Sequence, residues 1–477
     1  MSATMQPDWY RPHGAEGGVG SVEAIDATRH TGPLNRESAE ESHWWRPDVF
    51  DGRPDEDRTA GSDIDQGSAI PFWSLMAFTA ILLFSPQQYF PSLAIFRPAL
   101  LAIGVGIGFF LLDRSVRRLP IVEWTLELKL IVVMVAWATV TIPFSLWPGG
   151  SISVLVDTYL KAVAVFWLLS HVVTTSRRLR QIAGLLTLFA MGLGLFAMNS
   201  YLSGVSIDQG ISQDRIVGNE GGLTKNPNDL ALMINLIIPL TIGLLLVTTP
   251  ALIRSLLICA IVIEVITVIL THSRGGALTL GAIVLLYAWK LKRRPERTWL
   301  YGLMLAGLLA LPLVPSSYLD RMSTIANMQT DRTGSAQERW YDMAVAAKTI
   351  LAHPVIGAGI GMNTLAMNEA RGGWLPVHNV YLEHALDLGL PGLIVFCFLL
   401  VSCIRGTVSA QKKCQASGMS DVRVLAEALQ VSLLAFATAA MFHPVSYHMY
   451  FYYMAGLSVA VWKISRTESR RWKEISA

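Results

Sequence analysis

Four basic side chains stand where apolar segments of the sequence meet polar ones: Arg215, Arg274, Arg339 and His378. A guanidinium group presents a planar fork of donors that matches phosphate oxygens. A histidine exchanges protons near neutral pH and can assist a reaction that deprotonates a hydroxyl. These residue types would therefore suit a site that holds an anionic group and activates a hydroxyl.

Arg215 lies upstream of the sequence Asn226-Pro-Asn-Asp229, which leads into an apolar segment. Asn226 is expected to cap a helix, Pro227 to occupy its first position and Asp229 to complement its dipole. On this pattern alone, the segment is a well-made helix start beside a loop arginine. Arg215 has a function only if an anion needs it.

Arg274 lies in Thr271-His-Ser-Arg-Gly-Gly276, where one apolar segment stops and another begins without an ordinary loop. Such a turn presents Arg274 at the membrane boundary, beside glycines that let a ligand approach the backbone. The position suits a lipid phosphate. The alternative is a snorkelling arginine that only anchors a helix end.

Arg339 opens a segment with apolar residues at helical spacing: Trp340, Met343, Ala344, Ala347, Ile350 and Leu351. We expect an amphipathic helix along the membrane surface, ended by His353-Pro354. The glycines of 354–361 do not match the dinucleotide spacing G-x-G-x-x-G, so they predict a tight loop and no nucleotide site.

His378 begins the sequence His378-Asn-Val-Tyr-Leu-Glu-His384, which runs into another apolar segment through Gly389 to Gly392. Spaced six apart, His378 and His384 do not share a helical face, so we expect no zinc site. The alternative to a proton-transfer role for His378 is a capping or interfacial residue.

The elements that position these residues are membrane helices. The chain has 477 residues, 52% hydrophobic and 15% charged, against roughly 25% charged in soluble domains. A net charge of +3 is too small to suggest nucleic acid. Hydropathy predicts an all-α polytopic membrane protein with about twelve spans: 70–86, 93–112, 121–145, 152–174, 182–202, 228–247, 255–271, 275–290, 299–315, 388–404, 425–443 and 446–462.

An even number of spans puts both termini on one side of the membrane. Basic clusters in alternate connections make that side cytoplasmic. We therefore expect a disordered cytoplasmic tail at 1–68, a transmembrane domain at 70–462 and a basic cytoplasmic tail at 463–477. The connections 203–227 and 316–387 are expected to be periplasmic, and all four candidate residues fall on that face.

Ionisable residues inside the predicted spans favour a rival function. Glu264 and the pair Asp157 and Lys161 are costly in hydrocarbon and usually face a cavity or a partner. A proton-coupled transporter or a lipid-linked oligosaccharide flippase would use the same residue types. Transporters, however, place binding groups near the midplane and often show related halves, and this sequence shows no matched halves.

Taken in order, the Arg215 and Asn-Pro-Asn segment, the Ser-Arg-Gly turn, the Arg339 helix, the glycine loop and His378-Asn379 resemble the O-antigen ligase and O-antigen polymerase family. The resemblance covers residues 70–462 by topology, and its informative motifs lie between Arg215 and Gly392. It implies a GT-C-like inner-membrane glycosyltransferase that acts on undecaprenyl-diphosphate-linked glycan without a metal or another cofactor.

The resemblance also implies roles for the four residues. Arg215, Arg274 and Arg339 would hold the diphosphate leaving group, and His378 would assist the attacking hydroxyl. Ligases place a finished chain on lipid A core, as in lipopolysaccharide, or on a protein, whereas polymerases use the growing glycan. The His-Asn and Ser-Arg-Gly segments favour a ligase, with an O-antigen or exopolysaccharide polymerase as the alternative.

Overall fold

Helices account for the regular structure of the part of the chain that the computed structural model describes, residues 68–203, 215–218, 223–292, 318–319, 321–323 and 334–476. No strand occurs in these ranges. The helices are α1 (Ala69–Phe84), α2 (Pro98–Val116), α3 (Leu126–Thr141), α4 (Pro148–Val154), α5 (Leu160–Val172), α6 (Ser176–Leu202), α7 (Pro227–Val247), α8 (Ala251–Leu270), α9 (Arg274–Lys292), α10 (Ser335–Ala352), α11 (Asn363–Arg371), α12 (Val380–Ala416), α13 (Ser420–Ala439) and α14 (Met449–Ser476).

Eight helical stretches within these described ranges are long and apolar enough to cross a membrane. An all-α membrane protein is therefore confirmed in outline, whereas the count of twelve spans and the GT-C-like arrangement stay predictions. The span expected at 299–315 and nearly all of the tail expected at 1–68 lie outside the described residues. At the other end, α14 continues as a helix to Ser476.

The helices α7 and α13 form the centre of the bundle. Of the spanning window in each, 78% and 72% is buried, against 17% for the stretch that contains α2. The outer helices instead present apolar side chains outward, such as Leu101 of α2 and Leu256 of α8, as a lipid-facing surface requires.

A break in α12 explains the glycine loop. Gly389 has a φ of 68°, and Pro391 follows inside the helix. Because Pro391 has no N–H, it leaves the Asp387 carbonyl without its helical partner. Gly359 donates its N–H to that carbonyl at 2.8 Å, and Gly361 donates to the Asp387 carboxylate at 3.0 Å. The predicted tight loop is confirmed, and its task is to complete the broken helix.

The surface helix α10 ends at Ala352, just before His353, as predicted. Arg371 of α11 fixes its orientation through an ion pair with Asp342, which is buried, and a second with Glu338 at 3.4 Å. The predicted apolar stripe, from Trp340 to Leu351, is largely exposed. The orientation of α10 sets where Arg339, the residue after Glu338, can reach.

The ionisable residues of the spans have local partners. Lys161 pairs with Asp157 at 3.5 Å on the outer surface, as their spacing predicts. Glu264 is fully buried and accepts a hydrogen bond from the Thr241 hydroxyl at 2.9 Å.

Candidate functional site

The Arg215 segment packs against the turn that carries Arg274. Arg215 Nε donates to the Thr271 carbonyl oxygen at 2.9 Å, and the Ile216 N–H donates to the Leu270 carbonyl oxygen at 3.2 Å. Two motifs that are far apart in the sequence therefore share one surface at the end of α8.

Asn228 joins these motifs to the start of α7. Its Oδ1 accepts hydrogen bonds from Arg215 Nη2 at 3.1 Å and from Ser273 Oγ at 2.8 Å. The predicted cap is also present, since Asn226 Oδ1 accepts from the Asp229 N–H at 2.9 Å. Sequence reasoning missed Asn228, although its position between the cap and Asp229 was the available signal.

The three predicted arginines lie close enough to act on one another electrostatically. Burial, followed by the positive charges of Arg321, Arg339 and Arg274, lowers the pKa of Arg215 to about 10. Cations at such short range repel one another, and binding of an anion between them would relieve that repulsion. We call Arg215, Arg274, Arg321 and Arg339 the arginine cluster.

Arg321 is the member of the arginine cluster that sequence reasoning missed. It belongs to a connection without a recognisable motif, so no local signal pointed to it. The ring of Tyr318 lies 5.7 Å from that of His272, which places this short segment beside the Ser-Arg-Gly turn.

His378 lies next to the arginine cluster and is held neutral. Burial is the main cause that lowers its pKa to about 4, followed by the positive charge of Arg339 and by His443. At neutral pH its imidazole can accordingly accept a proton. A general base needs this property before geometry can make it effective.

His443 is a second histidine at the same end of the bundle. Its Nε2 lies 3.0 Å from the Asn228 carbonyl oxygen and its Nδ1 lies 3.0 Å from that of Ala439. A Cβ atom on Gly275 would lie 2.9 Å from the Cβ of Phe442, so the glycine lets the two turns touch. Sequence reasoning missed His443 because it placed this residue inside an apolar span.

His384 lies apart from this group. It is fully buried, and its ring centroid lies 4.3 Å from that of Phe396 and 5.3 Å from that of Tyr447. The two histidines of the motif therefore face different surroundings, as their spacing predicts.

His378 also lines a cavity of about 500 Å³. Its walls come from residues 223–229 and from the turn between α13 and α14, which contains His443. None of the arginine cluster is among the described residues that line this cavity. Asn228, which accepts a hydrogen bond from Arg215 Nη2, also lines the cavity, so the polar cavity adjoins the arginine cluster.

A family model described as O-Antigen ligase matches residues 258–397. The matched stretch contains Arg274, Arg321, Arg339 and His378 and leaves out Arg215. No curated protein matches the chain significantly. The resemblance to the O-antigen ligase and polymerase family, drawn from the ordered motifs, is confirmed over residues 258–397, which are similar to that family model.

Proposed function

We propose that this protein transfers a glycan from an undecaprenyl-diphosphate-linked donor to an acceptor hydroxyl, as an O-antigen ligase. The family match supports a ligase- or polymerase-type function in polysaccharide biosynthesis. One observation carries the finer proposal: Arg339 acts electrostatically on both Arg215 and His378, at the end of the bundle where α7, α9 and α12 begin.

The arginine cluster binds the diphosphate of the donor and stabilises the charge that develops as it leaves. The bond between the anomeric carbon and the diphosphate oxygen breaks, and its electron pair stays with the diphosphate. The acceptor oxygen forms the new bond to that carbon, and its proton passes to His378. Arginine and histidine side chains perform each of these tasks, so the proposed transfer needs neither a metal nor a nucleotide.

The reaction takes place on the periplasmic face of the inner membrane, with both termini in the cytoplasm. This orientation rests on the basic clusters in alternate connections. Periplasmic segments at 203–227 and 316–387 then contribute Arg215, Arg321, Arg339 and His378, while Arg274 comes from the turn after α8.

The test is glycan transfer by purified protein in liposomes that contain the lipid-linked donor. His378→Ala should still bind the donor, because the arginines make that contact, whereas transfer falls by about 10²- to 10⁴-fold. The control is His353→Ala, since His353 is exposed at the end of α10. His384→Ala is unsuitable, because loss of a buried ring would open a cavity in the core. Near-normal transfer by His378→Ala would refute the role of this residue.

The product of the same assay separates ligase from polymerase. We expect the donor glycan to appear on lipid A core or on a protein acceptor. A ladder of longer lipid-linked glycans, formed when donor is supplied alone, would instead identify a polymerase. Failure to transfer to any of these acceptors would refute the proposed function.

A further inference from the structure

The cavity beside His378 differs in chemistry from the arginine cluster. Amide, carboxylate and ammonium groups line it, from Asn226, Asp229 and Lys225. The side chain of Phe442 and the ring of Tyr450 add apolar surface. Its volume of about 500 Å³ lies within the ~300–1,000 Å³ of ordinary small-molecule pockets.

These walls suit a sugar better than a phosphate. Sugar hydroxyls both donate and accept hydrogen bonds, so they can use a carboxylate and an amide at once. The flat C–H faces of a sugar ring can lie on aromatic side chains. A diphosphate would instead meet the Asp229 carboxylate in the cavity, whereas no residue of the arginine cluster is among the described residues that line it.

We infer that this cavity binds the terminal sugar of the acceptor and directs one of its hydroxyls at His378. The inference rests on the proposed function, because it takes His378 as the group that receives the proton. The diphosphate and the acceptor sugar then occupy neighbouring regions, which Asn228 connects. The volume admits the end of an acceptor and excludes its lipid or its whole glycan.

Leu223 offers a way to close the cavity without touching the arginine cluster. Leu223 lines the cavity and is half-buried. The Tyr450 hydroxyl binds the backbone carbonyl of Leu223, so a change of side chain leaves that hydrogen bond in place. Leu223→Trp fills the cavity, and Leu223→Ala is the matched control that enlarges it.

The experiment measures ligand binding directly, on the full-length protein in lipid nanodiscs. Three methyl glycosides serve as probes, those of glucose, galactose and N-acetylglucosamine, and saturation-transfer NMR detects their binding. At least one should bind to the wild type with a Kd on the order of 1 mM, about 4 kcal/mol. Binding should be lost in Leu223→Trp and retained in both Leu223→Ala and Arg274→Ala.

Undecaprenyl-diphosphate-linked donor is the second probe, and it separates the two hypotheses. Donor binding should be unchanged in Leu223→Trp and weakened in Arg274→Ala. Equal glycoside binding by wild type and Leu223→Trp, or no binding by the wild type, would overturn the acceptor cavity. Loss of donor binding in Leu223→Trp would overturn it too, by assigning the cavity to the donor sugar. Unchanged donor binding in Arg274→Ala would count against the proposed function and leave glycoside binding as a separate result.

Discussion

The pKa of His378 is set first by burial and then by the positive charge of Arg339. Both effects lower it to about 4, so the neutral, proton-accepting form is present above that pH and is lost as the pH falls through it. The acidic limb of kcat/KM reports the ionisation of the free enzyme. A base of this kind would therefore work over the whole range from mildly acidic to neutral pH.

We expect Arg339→Gln to move that acidic limb to higher pH, because the substitution removes a charge that lowers the pKa of His378. Burial remains, so the limb should stay below the ordinary histidine value of about 6.5. The measurement is the pH profile of kcat/KM, in which the position of the limb is compared and not its height, since Arg339 also binds donor in our proposal. Lys348→Gln removes an exposed charge from the same helix and is the control. Identical profiles for wild type and Arg339→Gln would contradict the assignment of His378 as the base.

The arginine cluster should depend on the guanidinium shape as well as on charge. Arg274→Lys keeps the charge but loses the planar fork, so it should impair transfer almost as much as Arg274→Ala. Loss of one such donor costs about 10²- to 10³-fold in kcat in comparable sites. Arg321→Ala should show a loss of the same order.

Transfer assays with lipid-linked donor test these variants. Arg254→Ala is the matched control, because Arg254 lies on α8 at the end away from the Ser-Arg-Gly turn. A fully active Arg274→Lys variant would mean that position 274 supplies only a charge or a membrane anchor.

At the scale of elements, the ends of helices carry the site. Asn228 at the start of α7 receives hydrogen bonds from Arg215 and Ser273, and its own carbonyl oxygen lies 3.0 Å from His443 Nε2. The centre of the bundle thus holds the segments that bear the arginines. The ion pairs of Arg371 with Glu338 and Asp342 hold α10, the helix that carries Arg339.

The broken helix α12 is a second such element, and Gly389 can be tested in it. A Cβ at Gly389 would overlap the Val355 carbonyl oxygen, and its φ of +68° already disfavours a side chain. Gly389→Ala should therefore destabilise the protein by about 1–3 kcal/mol or more. Gly406 lies on the same helix in open surroundings, so Gly406→Ala should be neutral or slightly stabilising. Thermal unfolding in detergent measures both, and equal midpoints would show that the loop and helix adjust without strain.

At the scale of the whole molecule, hydrophobic runs predicted most of the described long helices, and cap residues predicted a few of their ends. Asn226, Pro227 and His353 are examples in which a local signal decides a local structure. The sequence did not predict the roles of Asn228 and His443, because the contact between these residues joins positions 215 residues apart. The hydrophobic periodicity of a sequence does not indicate which helix ends contact one another in the fold. The apolar stripe of α10 is a second example. Its spacing predicted which side chains share one face of the helix, but not whether another element covers that face.

The bundle has two chemically different ends. At one end, Arg180 of α6 pairs with Asp421 of α13 at 3.3 Å, and Lys290 of α9 pairs with Glu427 at 3.7 Å. The arginine cluster and His378 lie at the opposite end, where α7, α9 and α12 begin and α13 ends. The basic residues of 177–180, 290–292 and 412–413 thus belong to helix ends away from the candidate site. In the orientation that we propose from the positive-inside rule, those ends face the cytoplasm.

This orientation predicts which positions an impermeant maleimide can reach in spheroplasts of a variant whose native cysteines are replaced by serine. Two variants should be labelled from outside, Thr330→Cys and Ala370→Cys. Residue 330 lies outside the described residues, and Ala370 lies on α11. Lys292→Cys and Lys412→Cys should react only after permeabilisation, because their basic neighbours hold them in the cytoplasm. Each variant serves as a control for the opposite side. Labelling of Lys292→Cys from outside would invert the topology, place the arginine cluster and His378 in the cytoplasm and exclude transfer on the periplasmic face.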